Sequence, residues 1–190
     1  MASKEVVDKY FDELGQILTT HGLSDAPDRI WNIDESGFST EHSPPKIVCS
    51  RNTKAQAVTS PRTKNVTLIG GINALGNHDA PPFYIFPGKR WDDSFIDGAV
   101  AGSVGKMTEI GWVKIGIFED YIINHLARYA GIEKGDNQEA TLILYDGHKS
   151  HLSLTLTTLA QERNVILYVL PPHSRLKKAF IGPKTPTSSC

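Results

Sequence analysis

Cysteine and long apolar runs are both scarce in this 190-residue chain. The two cysteines, Cys49 and Cys190, are too few for a disulfide framework or a four-cysteine zinc site. No apolar run approaches the ~20 residues needed to cross a bilayer, so no membrane partner is expected. The opening residues, MASKEVVDKYFDEL, also lack the continuous apolar stretch of a secretory signal. These absences predict an intracellular protein.

Neither sign of charge is in excess, since 20 Lys and Arg face 21 Asp and Glu, for a net charge of -1. With 39% hydrophobic and 22% charged residues, the composition is typical of a folded domain. The charges are nevertheless segregated. Residues 1–45 carry 3 basic and 9 acidic residues, 46–90 carry 7 and 1, 91–172 carry 6 and 11, and 173–190 carry 4 and 0. A basic segment thus lies between two acidic ones, and the near-zero total does not exclude DNA as a partner.

The order of predicted elements is typical of a mixed α/β sheet. Helical spacing of apolar residues predicts helices near 7–18, 118–129 and 152–160. Apolar runs bounded by turn residues predict strands at 29–34, 46–50, 65–75, 83–86, 141–145 and 165–170. We expect Glu35-Ser36-Gly37 to form a turn and Gly70-Gly71 to form a bulge, while periodicity assigns no element to 91–112. Clustered strands followed by two helix-strand units predict a sheet whose parallel part is covered by helices.

Two of the predicted strands end in an aspartate, Asp34 and Asp146. Ligands gather at the carboxyl ends of strands in α/β sheets, so these carboxylates converge if the two strands are neighbours. Converging carboxylates repel unless one is protonated or a cation neutralises both. Magnesium suits such a site, where it activates water or a hydroxyl for attack on a phosphate. The alternative is that each aspartate only caps a turn or a helix start.

Four motifs resemble the DDE superfamily endonuclease and transposase domain, in the family's order and spacing: IWNIDESGF at 30–38, VTLIGGIN at 66–73, LYDGHKSH at 144–151 and VLPPHS at 169–174. The nearest resemblance is to the pogo, Tigger and jerky type, which is related to centromere protein B. This resemblance implies an RNase H-like fold, with three antiparallel strands followed by two parallel ones. It also implies a nuclear protein that acts on DNA and uses Mg²⁺ or Mn²⁺, with Asp34 and Asp146 as catalytic and metal-binding residues.

The chain departs from the family at the third catalytic acid, which would fall near Gly182. Glu162 is the only acidic residue after Asp146, and it precedes the last predicted strand. We expect a DDE-type domain over 1–174 that is incomplete at its C-terminus, followed by a divergent basic tail over 175–190. Two carboxylates predict weak metal binding and little strand transfer. Two alternatives stay open: an active metal-dependent nuclease that takes its third acid from elsewhere, and a non-functional truncated copy.

The remaining site predictions concern cations, histidines and one tryptophan. A basic set could contact DNA phosphates, or it could be an ordinary solvated face: Lys54, Arg62, Lys64, Lys89 and Arg90. The motifs also contain three histidines, His148, His151 and His173. His148 and His151 either face the carboxylates, bind a transition metal or bond locally, and the resemblance implies a structural or supporting role for His173. Trp91 follows two cations and either stacks on a base or packs in its loop. Both a monomer and a homo-oligomer are compatible with the sequence.

Overall fold

A six-stranded mixed sheet with helices on both faces is the centre of the molecule. The computed structural model describes residues 3–39, 65–76, 79–132, 139–147 and 153–171. The strand order is β4-β3-β2-β1-β5-β6. In chain order the strands are β1 (Ile30–Ser39), β2 (Asn65–Asn73), β3 (Asp79–Pro87), β4 (Val104–Thr108), β5 (Thr141–Tyr145) and β6 (Val165–Val169).

Strand directions confirm the predicted mixed sheet. β1, β2 and β3 are antiparallel neighbours, β5 is parallel to β1, and β6 is parallel to β5. β4 adds a strand parallel to β3 in the stretch for which no element was predicted. The strand expected at 46–50 and the domain boundary expected after residue 174 lie outside the described residues.

One helix, α1 (Lys4–Thr20), covers the β5–β6 end of the sheet. It begins where the Ser3 side chain accepts a hydrogen bond from the backbone N–H of Val6, which satisfies one of the donors left open at a helix start. Tyr10 and Leu14 form its buried stripe and pack with Leu142 and Leu144 of β5. The helix predicted before the sheet is therefore confirmed.

The opposite face is covered by α2 (Ile115–Asp120), a π-helix (Tyr121–Leu126), α3 (Ala127–Tyr129) and α4 (Leu154–Glu162). The first three are continuous, where the spacing predicted one regular helix. The π-helix broadens the buried stripe to four positions on this segment: Tyr121, Ile122, His125 and Leu126. The three apolar side chains pack with Trp31, Ile33 and Phe83 in the main core, and the His125 ring contacts Phe83.

Two local predictions for the antiparallel strands have opposite outcomes. The prediction of a turn at Glu35-Ser36-Gly37 is wrong, because β1 continues to Ser39 and pairs with β2 as far as that residue. Hydrogen bonds from β2 outweigh the local turn preference of these residues. The bulge at Gly70-Gly71 is confirmed, since the β2–β3 register shifts between Ile69 and Gly71.

Candidate metal and nucleic-acid site

Strand register aligns the two aspartates just beyond the end of the β1–β5 pairing. The last paired residues of β1 and β5 are Asn32 and Leu144. Asp34 and Asp146 each come two residues later, and both are half-buried. Neighbouring strands are about 5 Å apart, so continuing this register sets the two residues side by side. The sequence argument required β1 and β5 to be neighbours for the two carboxylates to converge, and they are neighbours.

Side-chain alternation decides which face the site occupies. Trp31 and Ile33 point into the main core, so Asn32, Asp34 and Ser36 lie on the other face, the one that carries α1. Glu35 follows the alternation of Trp31 and Ile33, and so it points away from Asp34. This face therefore gathers one carboxylate, one amide and one hydroxyl from β1.

A cleft of about 360 Å³ opens beside Asp34, with Asn32 and Ser36 in its wall. Gly70 pairs with Asp34 across the β1–β2 ladder and also lines the cleft. The space beside Gly70 is open, because a Cβ added there would meet only Leu68 Cδ2, at 3.6 Å. The sequence did not indicate this opening, because the pairing of Asp34 with a glycine is a long-range contact.

The donor set suits one hard divalent cation better than two. Oxygen ligands from two aspartates, with water in the remaining positions, match the preference of Mg²⁺ or Mn²⁺. Among the described residues, no group of three or more Asp, Glu, His or Cys could hold a metal ion. Glu162 is three residues before Val165, the first residue of β6, whereas Asp146 follows the last residue of β5. It therefore lies near the opposite end of these parallel strands and does not complete the set.

Two of the five predicted DNA-contacting cations fall in the described residues. Lys89 and Arg90 follow β3 and are exposed, and Lys89 Nζ lies 3.3 Å from Glu109 Oε1. β1 and β3 run in the same direction, so these cations lie beyond the carboxyl end of β3, further along the strand direction than Asp34. The other members lie outside the described residues, as do the three histidines: Lys54, Arg62, Lys64, His148, His151 and His173.

Trp91 packs within its own loop. Its indole Nε1 donates a hydrogen bond of 2.7 Å to Asp93 Oδ1, and its ring packs edge-on against Phe86 and Phe95. It also covers Gly105 of β4, where an added Cβ would collide with the indole. The packing alternative therefore describes Trp91 better than the base-stacking one.

Comparison with known proteins identifies a family over most of the chain. A family model described as DDE superfamily endonuclease matches residues 63–179, which is more than half of the chain. A curated protein of Cochliobolus lunatus, named MFS-type transporter clz9, is 30% identical over 155 residues. That match covers 76% of this chain and 16% of the relative, so the chain spans a small part of that protein. In the part of the chain that the structure describes, no helix has the length and apolar character needed to cross a membrane.

Solved structures with the same fold come from Mos1 transposase. The catalytic domain of Mos1 mariner transposase superposes with a TM-score of 0.50 at 12% identity, covering 92% of this chain and 65% of that one. A pre-cleavage Mos1 transpososome gives 0.51 at 13% identity, covering 92% of this chain and 45% of that one. The RNase H-like fold class expected from the sequence is thereby confirmed.

Proposed function

Because the chain belongs to the DDE superfamily endonuclease family, we propose that it is a transposase-derived domain that binds DNA, holds a divalent metal ion weakly, and lacks strand-transfer activity of its own. The pogo, Tigger and jerky type and a nuclear location are part of this proposal. The assignment to this type rests on the motifs around Asp34 and Asp146. The nuclear location rests on DNA as the proposed partner.

The observation that carries the proposal is the alignment of Asp34 with Asp146. They follow the paired residues Asn32 and Leu144 by the same two positions on neighbouring parallel strands. The carboxyl edge of such strands is where α/β sheets bind ligands. The cleft beside Asp34 leaves room there for a phosphate group.

Asp34 and Asp146 would hold Mg²⁺ or Mn²⁺, which supplies charge neutralisation at a phosphate and a more acidic bound water when present. The protein's own contribution is to keep two carboxylates on one face of a rigid sheet. Two-metal phosphoryl transfer needs more negative ligands than these two, and the sequence has no acidic residue after Glu162. We therefore expect the two-carboxylate site to bind one ion weakly and not to support strand transfer.

The charge distribution supports DNA as the partner. Residues 46–90 carry 7 basic residues and 1 acidic residue, and Lys89 and Arg90 lie exposed beyond the carboxyl end of β3, further along the strand direction than Asp34. Cations near a phosphate-binding edge attract nucleic acid through release of its counterions.

Manganese binding tests the metal site directly. Paramagnetic resonance of Mn²⁺ titrated into the purified chain should show weak binding that Asp34→Asn or Asp146→Asn reduces at least about tenfold. Glu35→Gln is the matched control, because it neutralises the adjacent residue on the other face and should leave the affinity unchanged. Equal loss in all three variants would contradict a site at Asp34.

Supercoiled plasmid tests activity and binding together. With Mg²⁺ or Mn²⁺ the chain should shift the plasmid at low salt without nicking it or joining ends. Nicking that disappears in both Asp34→Asn and Asp146→Asn would establish the active-nuclease alternative instead. Absence of any DNA binding at low salt would overturn the proposed function.

A further inference from the structure

The loop after β4 presents an aromatic ring to solvent. Trp112 is 59% exposed, whereas Trp31 is 1% exposed in the core and Trp91 is 37% exposed and held by Asp93. Ile110 and Ile115 beside Trp112 are exposed as well. Large apolar side chains clustered on a surface indicate a binding site more often than scattered ones do.

The backbone beneath Trp112 is fixed although its ring is exposed. Thr67 Oγ1 donates a 2.7 Å hydrogen bond to the carbonyl of Gly111, and Thr108 Oγ1 donates a 3.1 Å bond to the carbonyl of Trp112. Thr67 and Thr108 are both buried in the sheet. The ring is therefore presented from a held loop, which lowers the entropy lost when a ligand binds.

Two lysines line the groove next to this loop. The groove has a volume of about 600 Å³ and is lined by Lys89, Lys114 and Glu109, among others. Lys89 and Glu109 form an exposed ion pair, and such pairs contribute little, so Lys89 can exchange the carboxylate for a phosphate. Arg90 follows directly and is also exposed. Two lysines and one carboxylate line the groove, and with the adjacent Arg90 the net charge is positive, which attracts an anionic polymer.

The groove lies at the same end of the sheet as the aspartates. β4 is parallel to β3, and its last residue, Thr108, pairs with Pro87 at the carboxyl end. β4 and β1 are separated by three strand spacings, and Thr108 lies about five residues further along than Asp34. Strand dimensions therefore put the groove on the order of 20 Å from Asp34.

We propose that the Trp112 surface (Trp112, Lys89, Arg90 and Lys114) binds an unpaired strand of DNA, with a base stacked on the indole and neighbouring phosphates on the cations. This inference rests on the proposed function and deepens it by specifying the form of DNA. An exposed indole, in a loop whose flanking residues Glu109 and Lys114 line a lysine-bearing groove, supplies the aromatic face and the cations that single-strand sites use. A duplex keeps its bases stacked on each other and offers only its phosphates to this surface.

Anisotropy titrations with a labelled 20-nucleotide strand and its duplex test the inference. Trp112→Ala should weaken single-strand binding by about tenfold or more and change duplex binding by less than about twofold. Trp112→Phe should retain most of the single-strand affinity, since it keeps an aromatic face. Val100→Ala, an exposed apolar residue before the start of β4, is the control and should bind both forms like the wild type.

Tryptophan fluorescence gives a second readout in the same samples. The single strand should quench the wild-type emission, and Trp112→Phe should remove that quenching while leaving Trp31 and Trp91 in place. Unchanged single-strand affinity in Trp112→Ala, or equal losses for both DNA forms, would overturn the inference. Self-association that depends on Trp112, with normal single-strand binding, would overturn it in favour of an interface between copies. A wild type that binds neither form refutes the proposed function itself, which a failure confined to Trp112 does not.

Discussion

Two adjacent glycines next to Asp34 differ in the space available for a side chain. Gly70 faces the cleft, and a Cβ there would contact only Leu68. Gly71 faces the main core, where a Cβ would lie 2.7 Å from Tyr121 Oη and 3.2 Å from Leu126 Cδ1. Both neighbours are completely buried, so they have little freedom to move away. Close packing therefore requires a glycine at Gly71, whereas there is space for a side chain at Gly70.

Substitution at these two positions should have opposite consequences. Gly71→Ala is expected to lower the free energy of unfolding by about 1–3 kcal/mol, because it overpacks the core against Tyr121. Gly70→Ala should change it by less than about 1 kcal/mol, because the strand favours alanine over glycine and the cleft has room. Urea unfolding at pH 7 measures both values.

Tyr121→Phe tests whether the collision with the Tyr121 hydroxyl causes the loss of stability in Gly71→Ala. The Tyr121 hydroxyl is buried without a hydrogen-bond partner among the described residues, so removing it should restore part of the stability lost in Gly71→Ala. A Gly71→Ala variant as stable as the wild type would contradict the steric explanation. An effect of Gly71→Ala that Tyr121→Phe does not alter would point to another contact.

Docking of α1 on the sheet depends on a buried tyrosine. The Tyr10 ring stacks on Tyr168 of β6, with ring centroids 5.2 Å apart. Burial, followed by the proximity of Tyr168, raises the pKa of Tyr10 to about 12. The folded state therefore keeps the Tyr10 phenol protonated at pH values where an exposed tyrosine, with a pKa near 10, ionises.

Alkaline titration of stability should reveal this contact. The contribution of Tyr10 is complete below about pH 10 and is lost as the pH rises towards about 12, because only the unfolded state releases the proton in that window. Chemical unfolding at pH 8, 10 and 11.5 should show a loss that is smaller in Tyr10→Phe by on the order of 1 kcal/mol. Identical pH profiles for the two proteins would show that α1 docks without regard to Tyr10 ionisation.

Charge segregation is a property of the whole molecule that the net charge conceals. Basic residues concentrate in 46–90, while residues 1–45 and 91–172 are acidic. The fold places Lys89 and Arg90 at the carboxyl edge of β3, at the end of the sheet where β1 carries Asp34. A molecule of net charge -1 can therefore present a cationic edge to DNA.

Salt dependence of duplex binding measures how many of these cations contact phosphates. The slope of log K against log salt should fall in magnitude by about one for Lys89→Ala and again for Arg90→Ala. Lys4→Ala, at the start of α1, is the control and should keep the wild-type slope. A slope that stays constant in the Lys89 and Arg90 variants would remove this edge from the DNA interface.

Local pattern was sufficient for α1, for the buried strands and for the end of β5 before Asp146, but not for the end of β1, which continues past Asp34 to Ser39. The apolar periodicity of 7–18 and the run LILY before Asp146 each depend on neighbouring residues, and β5 is buried at every position. Mixed-sheet topology also followed from element order, because short connections permit few arrangements. By contrast, β4 contains only two strongly apolar residues, Val104 and Met107, so its sequence did not predict a strand. It forms by hydrogen bonding to the backbone of β3.

The sequence by itself determined the fold class, the positions of Asp34 and Asp146, and the absence of any acidic residue after Glu162. Only the tertiary structure decided that β1 continues past Asp34, that a glycine pairs with Asp34 beside a cleft, and that Trp112 is exposed while Trp91 is held in its loop. Each of these features depends on a partner distant in the chain. Backbone pairing with β2 overrides a local turn preference, and side-chain exposure is set by whatever the rest of the fold packs against it.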